Sequence, residues 1–363
     1  MMKKDGIALV YSEGAFNTTN GKTAHGLVRF TRRYDVAAVV DSRYAGEDAG
    51  EVLDGKPNGV PIVASLAEGL DRARASGAPA THFVVGLAPD GGRLSPAGRA
   101  DVRKAIEAGL HVDSGLHDFF SEDPELAALA KSRDVRIRDT RKPPARSEQR
   151  FFCGKIEEVD CYVVALLGTD SAVGKRTTAW KLVEAIEGKG RKAEMVGTGQ
   201  TAWLQGARHS IVMDSLVNDF VTGEIEHAVW SAWKNESPEV IVVEGQGSLM
   251  NPAYPGGFEI LAAARPDGIV MQDAPARKEY DGFPGYPIHP LSRQIEAAEL
   301  VSGKRVLAVT LNHEGLAREE IPFVRAAIAR TVGIPAFDVL LDGAAELADL
   351  VLARAKAKKE EGR

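Results

Sequence analysis

A glycine-rich stretch, GTDSAVGKRTT at residues 168–178, is the part of the sequence best suited to chemistry. It follows an apolar run and precedes a helical pattern, which is the order of strand, loop and helix in a phosphate-binding loop. In such a loop the backbone N–H groups and the helix N-terminus converge on an anion, and Lys175 adds a positive charge. The sequence therefore predicts a phosphate or pyrophosphate site, with a purely structural glycine turn as the alternative. The predicted binding residues are Gly168, Thr169, Asp170, Ser171, Ala172, Val173, Gly174, Lys175, Arg176 and Thr177.

Two features separate this loop from the standard ATP-binding form. Five residues lie between Gly168 and Gly174, whereas the standard motif has four. The standard motif also has Ser or Thr directly after its lysine to bind Mg²⁺. Here that position is Arg176, and the hydroxyls follow as Thr177 and Thr178. Binding of ATP with Mg²⁺ would require one of these two threonines to take over the metal.

Two carboxylates are candidates for acid–base chemistry. Glu244 ends the apolar run VIVVE, and ligands of open parallel sheets lie at the carboxyl ends of strands, so Glu244 should face the same crevice as Lys175. It can act as a general base, hold Mg²⁺ through water, or cap a turn. Asp214 precedes a helical pattern and is either a helix N-cap or a catalytic carboxylate.

Further polar residues lie in loops that should reach the same crevice. Asn312 ends the run VLAVTLN, where related P-loop proteins place an amide that reads a purine ring; a turn asparagine is the alternative. Two loops rich in proline and aromatic residues, 247–259 and 273–290, suit a small anionic substrate. An exposed loop without a ligand is the alternative there. The predicted substrate-binding cations are Arg208, Arg277 and Lys278.

The elements that must position these residues follow a repeated α/β pattern. Short apolar runs rich in β-branched residues alternate with helical patterns, as in parallel sheets covered on both faces. In the first half the runs are 7–11, 36–41, 61–64 and 82–87, and in the second half they are 162–167, 193–198, 240–245, 268–273, 305–312 and 337–341. Ser95 and Pro96 predict a helix start, with Ser95 as the N-cap.

A charged segment with paired prolines, DTRKPPARSEQR at 139–150, interrupts this alternation and indicates a linker. The sequence thus predicts a Rossmann-like parallel-sheet domain at 1–142 and a P-loop NTPase-like parallel-sheet domain at 143–363. The first turn of the N-terminal domain lacks G-x-G-x-x-G, so we do not expect it to bind a dinucleotide, although Asp41 ends its second strand.

Composition excludes several classes of protein. A chain of 363 residues exceeds what one hydrophobic core usually organises. Its 45 basic and 51 acidic residues give a net charge of −6, which argues against general nucleic-acid binding. The absence of a long apolar run argues against a membrane span, and the N-terminal residues lack the apolar core of a secretory signal. We therefore expect a cytoplasmic protein without a metal site, and a homodimer on general frequency alone.

The motifs GTDSAVGKRTTA and VVEGQGSLMNPAYPG, together with KTAHGLVR and VVDSRYAG, resemble a family catalogued as a domain of unknown function. The resemblance extends over nearly the whole chain. The longer loop form, G-T-D-x-x-V-G-K, is similar to that of dethiobiotin synthetase and its relatives. Some members of the family are assigned as D-glutamate N-acetyltransferases.

The resemblance implies acetyl-CoA as co-substrate, an acidic amino acid as acceptor, and transfer of the acetyl group to the amine. The pyrophosphate of acetyl-CoA would then occupy the glycine loop without phosphoryl transfer, so that Arg176 is tolerated. Asp214 or Glu244 would take the proton of the substrate ammonium. One alternative is an ATP- and Mg²⁺-dependent ligase or kinase of the dethiobiotin synthetase type. The other is a nucleotide-binding protein without catalysis.

Overall fold

The computed structural model describes residues 3–361, with the backbone alone at Asp90. The chain forms two compact units. The first comprises the residues up to Pro144 together with Gln200–Gly206, and the second comprises Ala145–Gly199 and the residues from Ala207 onwards. Each is a parallel-sheet α/β unit, which confirms the predicted fold class.

The first unit contains a six-stranded parallel sheet in the order β3-β2-β1-β4-β5-β6. The strands are β1 (Gly6–Tyr11), β2 (Tyr34–Val40), β3 (Ile62–Val63), β4 (His82–Val85), β5 (His111–Ser114) and β6 (Ile137–Asp139). The helices from the N-terminal segment are α1 (Lys22–Arg29), α2 (Ala49–Asp54), α3 (Leu66–Ala75), α4 (Pro96–Glu107) and α5 (Pro124–Ser132). The Ser95 side chain accepts from the Gly98 N–H, which confirms the predicted start of α4.

Helix α7 (Gln200–Gln205) completes the first unit, although it lies far along the chain. Right-handed crossovers place α1 on one face of the sheet and α4 and α5 on the other. α7 packs beside α1, where Leu204 is fully buried in the core. Gln205 Nε2 donates to the Gly26 carbonyl at 2.8 Å, and the Arg33 guanidinium lies 3.8 Å from the centre of a Trp203 ring. The sequence pattern did not indicate this exchange of a helix.

The second unit contains a seven-stranded parallel sheet in the order β13-β12-β11-β7-β10-β8-β9. The strands are β7 (Tyr162–Gly168), β8 (Ala193–Gly197), β9 (His209–Ser210), β10 (Val240–Glu244), β11 (Gly268–Asp273), β12 (Val306–Leu311) and β13 (Ala336–Phe337). The helices are α6 (Lys175–Gly188), α8 (Asn218–Glu236), α9 (Gly257–Ala264), α10 (Leu291–Ser302), α11 (Ile321–Val332) and α12 (Ala345–Glu361). No helix among residues 3–361 combines the length and apolar character needed to cross a membrane.

The order of the strands brings the functional candidates to one edge of this sheet. β7 is central, and β10 and β11 flank it, with Glu244 opposite Leu166 and Gln272 opposite Gly168. The loops after these three strands therefore meet. The predicted last strand is wrong beyond Phe337, because the buried Asp338 carboxylate accepts the next backbone N–H groups and forms a turn.

Candidate functional site

The loop after β7 has the backbone of an anion cradle. Gly174 has φ +102°, a left-handed conformation that favours glycine, and it turns the chain directly into α6 at Lys175. Gly174 occupies the N-cap position of α6 and has no side chain that could cap the helix. The first N–H groups of a helix have no partner within the helix, so this end of α6 offers donors and a positive dipole to an anion.

The Asp170 side chain is the hub that holds the loop in shape. It is fully buried, and four donors surround its carboxylate. Oδ1 accepts from Ser171 N at 2.7 Å and Asn251 Nδ2 at 2.9 Å. Oδ2 accepts from Arg277 Nη1 at 2.9 Å and Asp281 N at 2.8 Å. Asp170 therefore ties the glycine loop to the loops that follow β10 and β11, and only its backbone is left to face a ligand.

Arg277 is brought to the glycine loop, but the protein itself occupies its guanidinium. Besides Asp170, it donates to the Ser171 carbonyl at 2.7 Å and to Glu314 Oε2 at 3.3 Å. Only 18% of its side chain is exposed. Its position supports a role in stabilising the loop, and a substrate carboxylate would have to share it with two acidic side chains.

The Lys175 ammonium is buried inside the loop. Nζ donates to the Asp170 carbonyl at 2.6 Å and to the Gly247 carbonyl at 2.8 Å, which leaves one of its three donors for a ligand. Gly247 has φ +50°, and a Cβ there would lie 1.8 Å from the Tyr254 carbonyl oxygen, so glycine is required. Burial lowers the pKa of Lys175 to about 8, against the opposing effect of the Asp170 and Glu244 charges.

Glu244 lies at the carboxyl end of β10, and only 4% of the residue is exposed. Oε2 accepts from Thr198 N at 2.9 Å, and the Gly199 N–H also donates to the carboxylate. Burial raises the pKa of Glu244, while the positive charges of Arg176 and Lys175 oppose that shift. A carboxyl group with a raised pKa beside two cations is suited to accept and release a proton.

Of the two hydroxyls after Lys175, that of Thr178 is bonded within the protein. Thr178 is buried, and its hydroxyl donates to Gln272 Oε1 at 2.6 Å. Gln272 Oε1 accepts a second hydroxyl, that of Thr310, at the same distance. Thr177 is half-buried, and helical geometry turns it about 100° around α6 from Arg176. Position 176 itself carries a guanidinium.

Asp214 follows Met213, a residue that bonds to the loop holding the Glu244 carboxylate. It is exposed, in a short turn at Met213–Ser215, and Met213 N donates to the Thr198 carbonyl at 3.1 Å. α8 begins only at Asn218, with Val217 at its N-cap position. The interpretation of Asp214 as a helix N-cap is therefore wrong, and a catalytic role stays a prediction.

The remaining predicted residues lie in different settings. Arg208 forms ion pairs with Glu194 and, at 2.8 Å, with Glu236, so the structure does not bring it to the glycine loop. Lys278 is exposed at the base of a turn in which its carbonyl accepts from Ile288 N at 3.0 Å. Asn312 lies beside the end of β11, where its Oδ1 accepts from Glu314 N at 3.1 Å, as in the turn alternative.

Sequence reasoning missed the partners that hold the site together. Asn251, Asp281 and Gln272 each bond to residues that lie far away along the chain. An Asn-Pro pair such as 251–252 is typical of a turn, but nothing local indicates that the Asn251 amide reaches Asp170. Gln272 is a polar residue inside an apolar strand, and that was the available signal.

Comparisons with known proteins agree with this geometry. Residues 150–348 match the model of the C-terminal P-loop domain of DUF1611, a domain of unknown function, and residues 42–143 match its N-terminal Rossmann-like domain. A D-glutamate N-acetyltransferase of Tritonibacter scottomollicae is 29% identical over 290 residues, or 78% of this chain and 84% of that protein. A protein of the same name from a Pseudoalteromonas species is 29% identical over 271 residues, 73% of this chain and 79% of the relative.

A solved structure has the same fold over almost the entire chain. The crystal structure of a DUF1611 family protein from Anabaena variabilis superposes with a TM-score of 0.88 at 28% sequence identity. The match covers 96% of this chain and 100% of that one. With its glycine loop between β7 and α6 and with both domain models matched, the chain belongs to the DUF1611 family, with an N-terminal Rossmann-like domain and a C-terminal P-loop domain.

Proposed function

We propose that this protein is an N-acetyltransferase that moves the acetyl group of acetyl-CoA to the amino group of an acidic amino acid. D-glutamate is the first candidate for that amino acid. The names of the two relatives support this proposal. The observation that carries it is an anion cradle with an arginine in place of the metal ligand, next to a buried carboxyl group with a raised pKa. Such a site suits a diphosphate ester that undergoes no phosphoryl transfer.

In this proposal the cradle holds the pyrophosphate of acetyl-CoA. The N-terminus of α6 provides backbone donors, and the remaining N–H of Lys175 provides a charged one. Arg176 follows directly and adds a guanidinium, whose planar fork suits phosphate oxygens. These groups anchor the cofactor end of the ligand, away from the reacting bond.

The reaction requires a base because a protonated amine cannot attack. Loss of the ammonium proton frees the nitrogen lone pair, a C–N bond forms at the thioester carbonyl carbon, and the C–S bond breaks. The nitrogen loses its second proton as the amide forms, and the CoA sulfur, which leaves as the thiolate, takes up that proton. Glu244 and Asp214 are the candidate bases, and burial raises the pKa of Glu244, which suits a group that takes up a proton.

The two ends of acetyl-CoA impose a geometric condition on this choice. The pantetheine arm separates the thioester from the pyrophosphate, whereas Glu244 is within electrostatic reach of Lys175 in the cradle. Glu244 can serve as the base only if the arm folds back over the loop. If the arm is extended, Glu244 positions the cradle and the base lies further away.

The acceptor carboxylates need cations that the protein has not already neutralised. Arg208 and Arg277 each contact two acidic side chains. Within residues 3–361, the Lys278 side chain is exposed and forms no ion pair. Of the three predicted cations, Lys278 is therefore the one we propose for direct contact with the substrate.

A thiol-release assay tests the proposed function. Acetyl-CoA is incubated with D- or L-glutamate, with and without ATP and Mg²⁺, and both free CoA and the acetylated amino acid are measured. We expect product from an acidic amino acid without ATP. Absence of CoA release with every acidic amino acid, combined with ADP release on adding a carboxylic acid, would favour the ligase or kinase alternative.

A further inference from the structure

We propose that the glycine loop binds its diphosphate ligand free of Mg²⁺, with the Arg176 side chain in the place that a magnesium ion takes in other P-loops. P-loop folds imply a nucleotide bound together with Mg²⁺, and the residues present here do not fit that ion. The inference rests on the proposed function only in taking a CoA-type diphosphate ester as the ligand.

The first observation is the chemistry of position 176. α6 begins at Lys175, so Arg176 stands where the metal-binding hydroxyl stands in the standard motif. Mg²⁺ requires oxygen ligands in near-octahedral geometry. A guanidinium has five N–H donors and no acceptor, and it remains charged in proteins. It therefore cannot bind the metal, and its positive charge repels one.

The second observation is that the Thr178 hydroxyl is already committed within the protein. Thr178 donates to Gln272 Oε1, which also accepts from Thr310, and all three side chains are buried. Turning Thr178 towards a metal would break this network in the interior. A buried polar group that is left without its hydrogen bond destabilises the folded protein. Thr178 is thus held away from the cradle.

The third observation concerns the carboxylate that would bind a metal through water. Glu244 accepts from the N–H groups of Thr198 and Gly199, and it lies in the field of Arg176 and Lys175. Asp170, the other acidic side chain of the loop, is paired with Arg277. Both carboxylates are therefore engaged by donors of the protein itself, which disfavours their holding a metal through water.

This arrangement predicts how Mg²⁺ acts on binding. Arg176 and Mg²⁺ compete for the same phosphate oxygens. A diphosphate that already carries Mg²⁺ should therefore bind the cradle more weakly than the metal-free diphosphate. A threonine at position 176 restores the order glycine, lysine, threonine and removes the repelling charge. The variant Arg176→Thr should consequently acquire a dependence on Mg²⁺.

Isothermal titration calorimetry of the full-length protein tests the inference, with CoA and ADP as probes, in EDTA and in excess Mg²⁺. We expect wild-type protein to bind CoA at least as tightly in EDTA as in Mg²⁺. Arg176→Ala should weaken CoA binding about tenfold or more, consistent with a charge-assisted hydrogen bond. Arg176→Thr should bind ADP more tightly with Mg²⁺ than without it. Arg305→Ala removes an arginine that is 81% exposed and should change nothing.

Three outcomes would overturn the inference: wild-type binding that requires Mg²⁺, unchanged CoA affinity in a folded Arg176→Ala variant, or absence of binding of both probes. Thermal unfolding of each variant shows whether it is folded. The proposed function fails separately, if the wild-type protein binds CoA in EDTA but transfers no acetyl group. In that case the metal-free diphosphate site stands and the reaction must be a different one.

Discussion

The loop after β1 in the first unit and the loop after β7 in the second have the same arrangement. Each follows a parallel strand and leads into a helix. In the first unit the chain itself occupies the helix N-terminus, because Ala24 N donates to the Gly86 carbonyl at 2.9 Å. The Asp41 carboxylate, which a Rossmann domain would offer to a ribose, accepts from Phe16 N at 2.8 Å. In the second unit, α6 begins directly after Gly174, and Lys175 keeps one of its three donors for a ligand.

The difference shows that architecture alone does not make a binding site. Both sheets are parallel, and both have helices at the carboxyl ends of their strands. Function depends on which backbone donors and charges the local sequence leaves for a ligand. The comparison also predicts that equivalent substitutions in the two units should have different effects.

The largest expected effect is on the stability of the first unit. Leu204→Ala removes a fully buried side chain of α7 from the core of the first unit and should lower the free energy of unfolding by about 2–5 kcal/mol. Calorimetric unfolding of the full-length protein measures it. Leu300→Ala is the matched control, because Leu300 is 86% exposed and its loss should matter by less than about 0.5 kcal/mol. Equal effects of the two substitutions would contradict the assignment of α7 to this core.

Glu244→Gln changes the site of the second unit, and its effect should be seen in the turnover of the enzyme. If Glu244 is the base, kcat should fall about 100-fold or more with little change in KM for acetyl-CoA. If it only positions the cradle, KM should rise instead. Asp214→Asn is the comparison, since that carboxylate is exposed. Full activity in both variants would exclude both candidates as the base.

Lys175→Ala should weaken diphosphate binding by about 1.5–3 kcal/mol, which is the value of a hydrogen bond to a charged group. Lys22 is the matched control, because it is the first residue of α1 just as Lys175 is the first residue of α6. Lys22→Ala should leave binding unchanged. The Lys22 side chain is exposed, and an N–H group in the first turn of α1, that of Ala24, is already bonded to the Gly86 carbonyl. Calorimetric titration with CoA compares the two. A similar loss of CoA affinity in both variants would contradict the difference between the loop after β7 and the loop after β1.

The smallest expected effect is a dependence of binding on pH. The pKa of Lys175 is lowered to about 8, so the cradle loses a positive charge as the pH rises through that value, and CoA affinity should fall. Without ligand, the folded protein releases this proton between pH 8 and 10.5 while the unfolded chain keeps it, so stability should rise with pH there. Both trends should vanish in Lys175→Ala. A flat affinity profile in the wild-type protein would contradict the lowered pKa.

The elements with a clear apolar pattern were predictable, and the contacts between distant segments were not. The run at 162–167 is apolar throughout and that at 240–243 is apolar up to Glu244, and both form central strands. By contrast, β5 and β6 are short and largely polar, so they carry no apolar signal. The glycine loop was predicted from its spacing, whereas the role of Asp170 depends on partners that the folded chain alone brings together.

The position of α7 along the chain has a consequence for biosynthesis. The ribosome completes the N-terminal segment at Pro144, but the core of the first unit also needs Leu204, so this unit cannot be fully folded until Gln200–Gly206 has been translated. At typical elongation rates the wait is on the order of seconds. During that interval the face of the sheet that carries α1 lacks part of its cover, so the nascent chain passes through a stage at which apolar surface is exposed to chaperones. An N-terminal fragment that ends at residue 144 would lack α7 altogether.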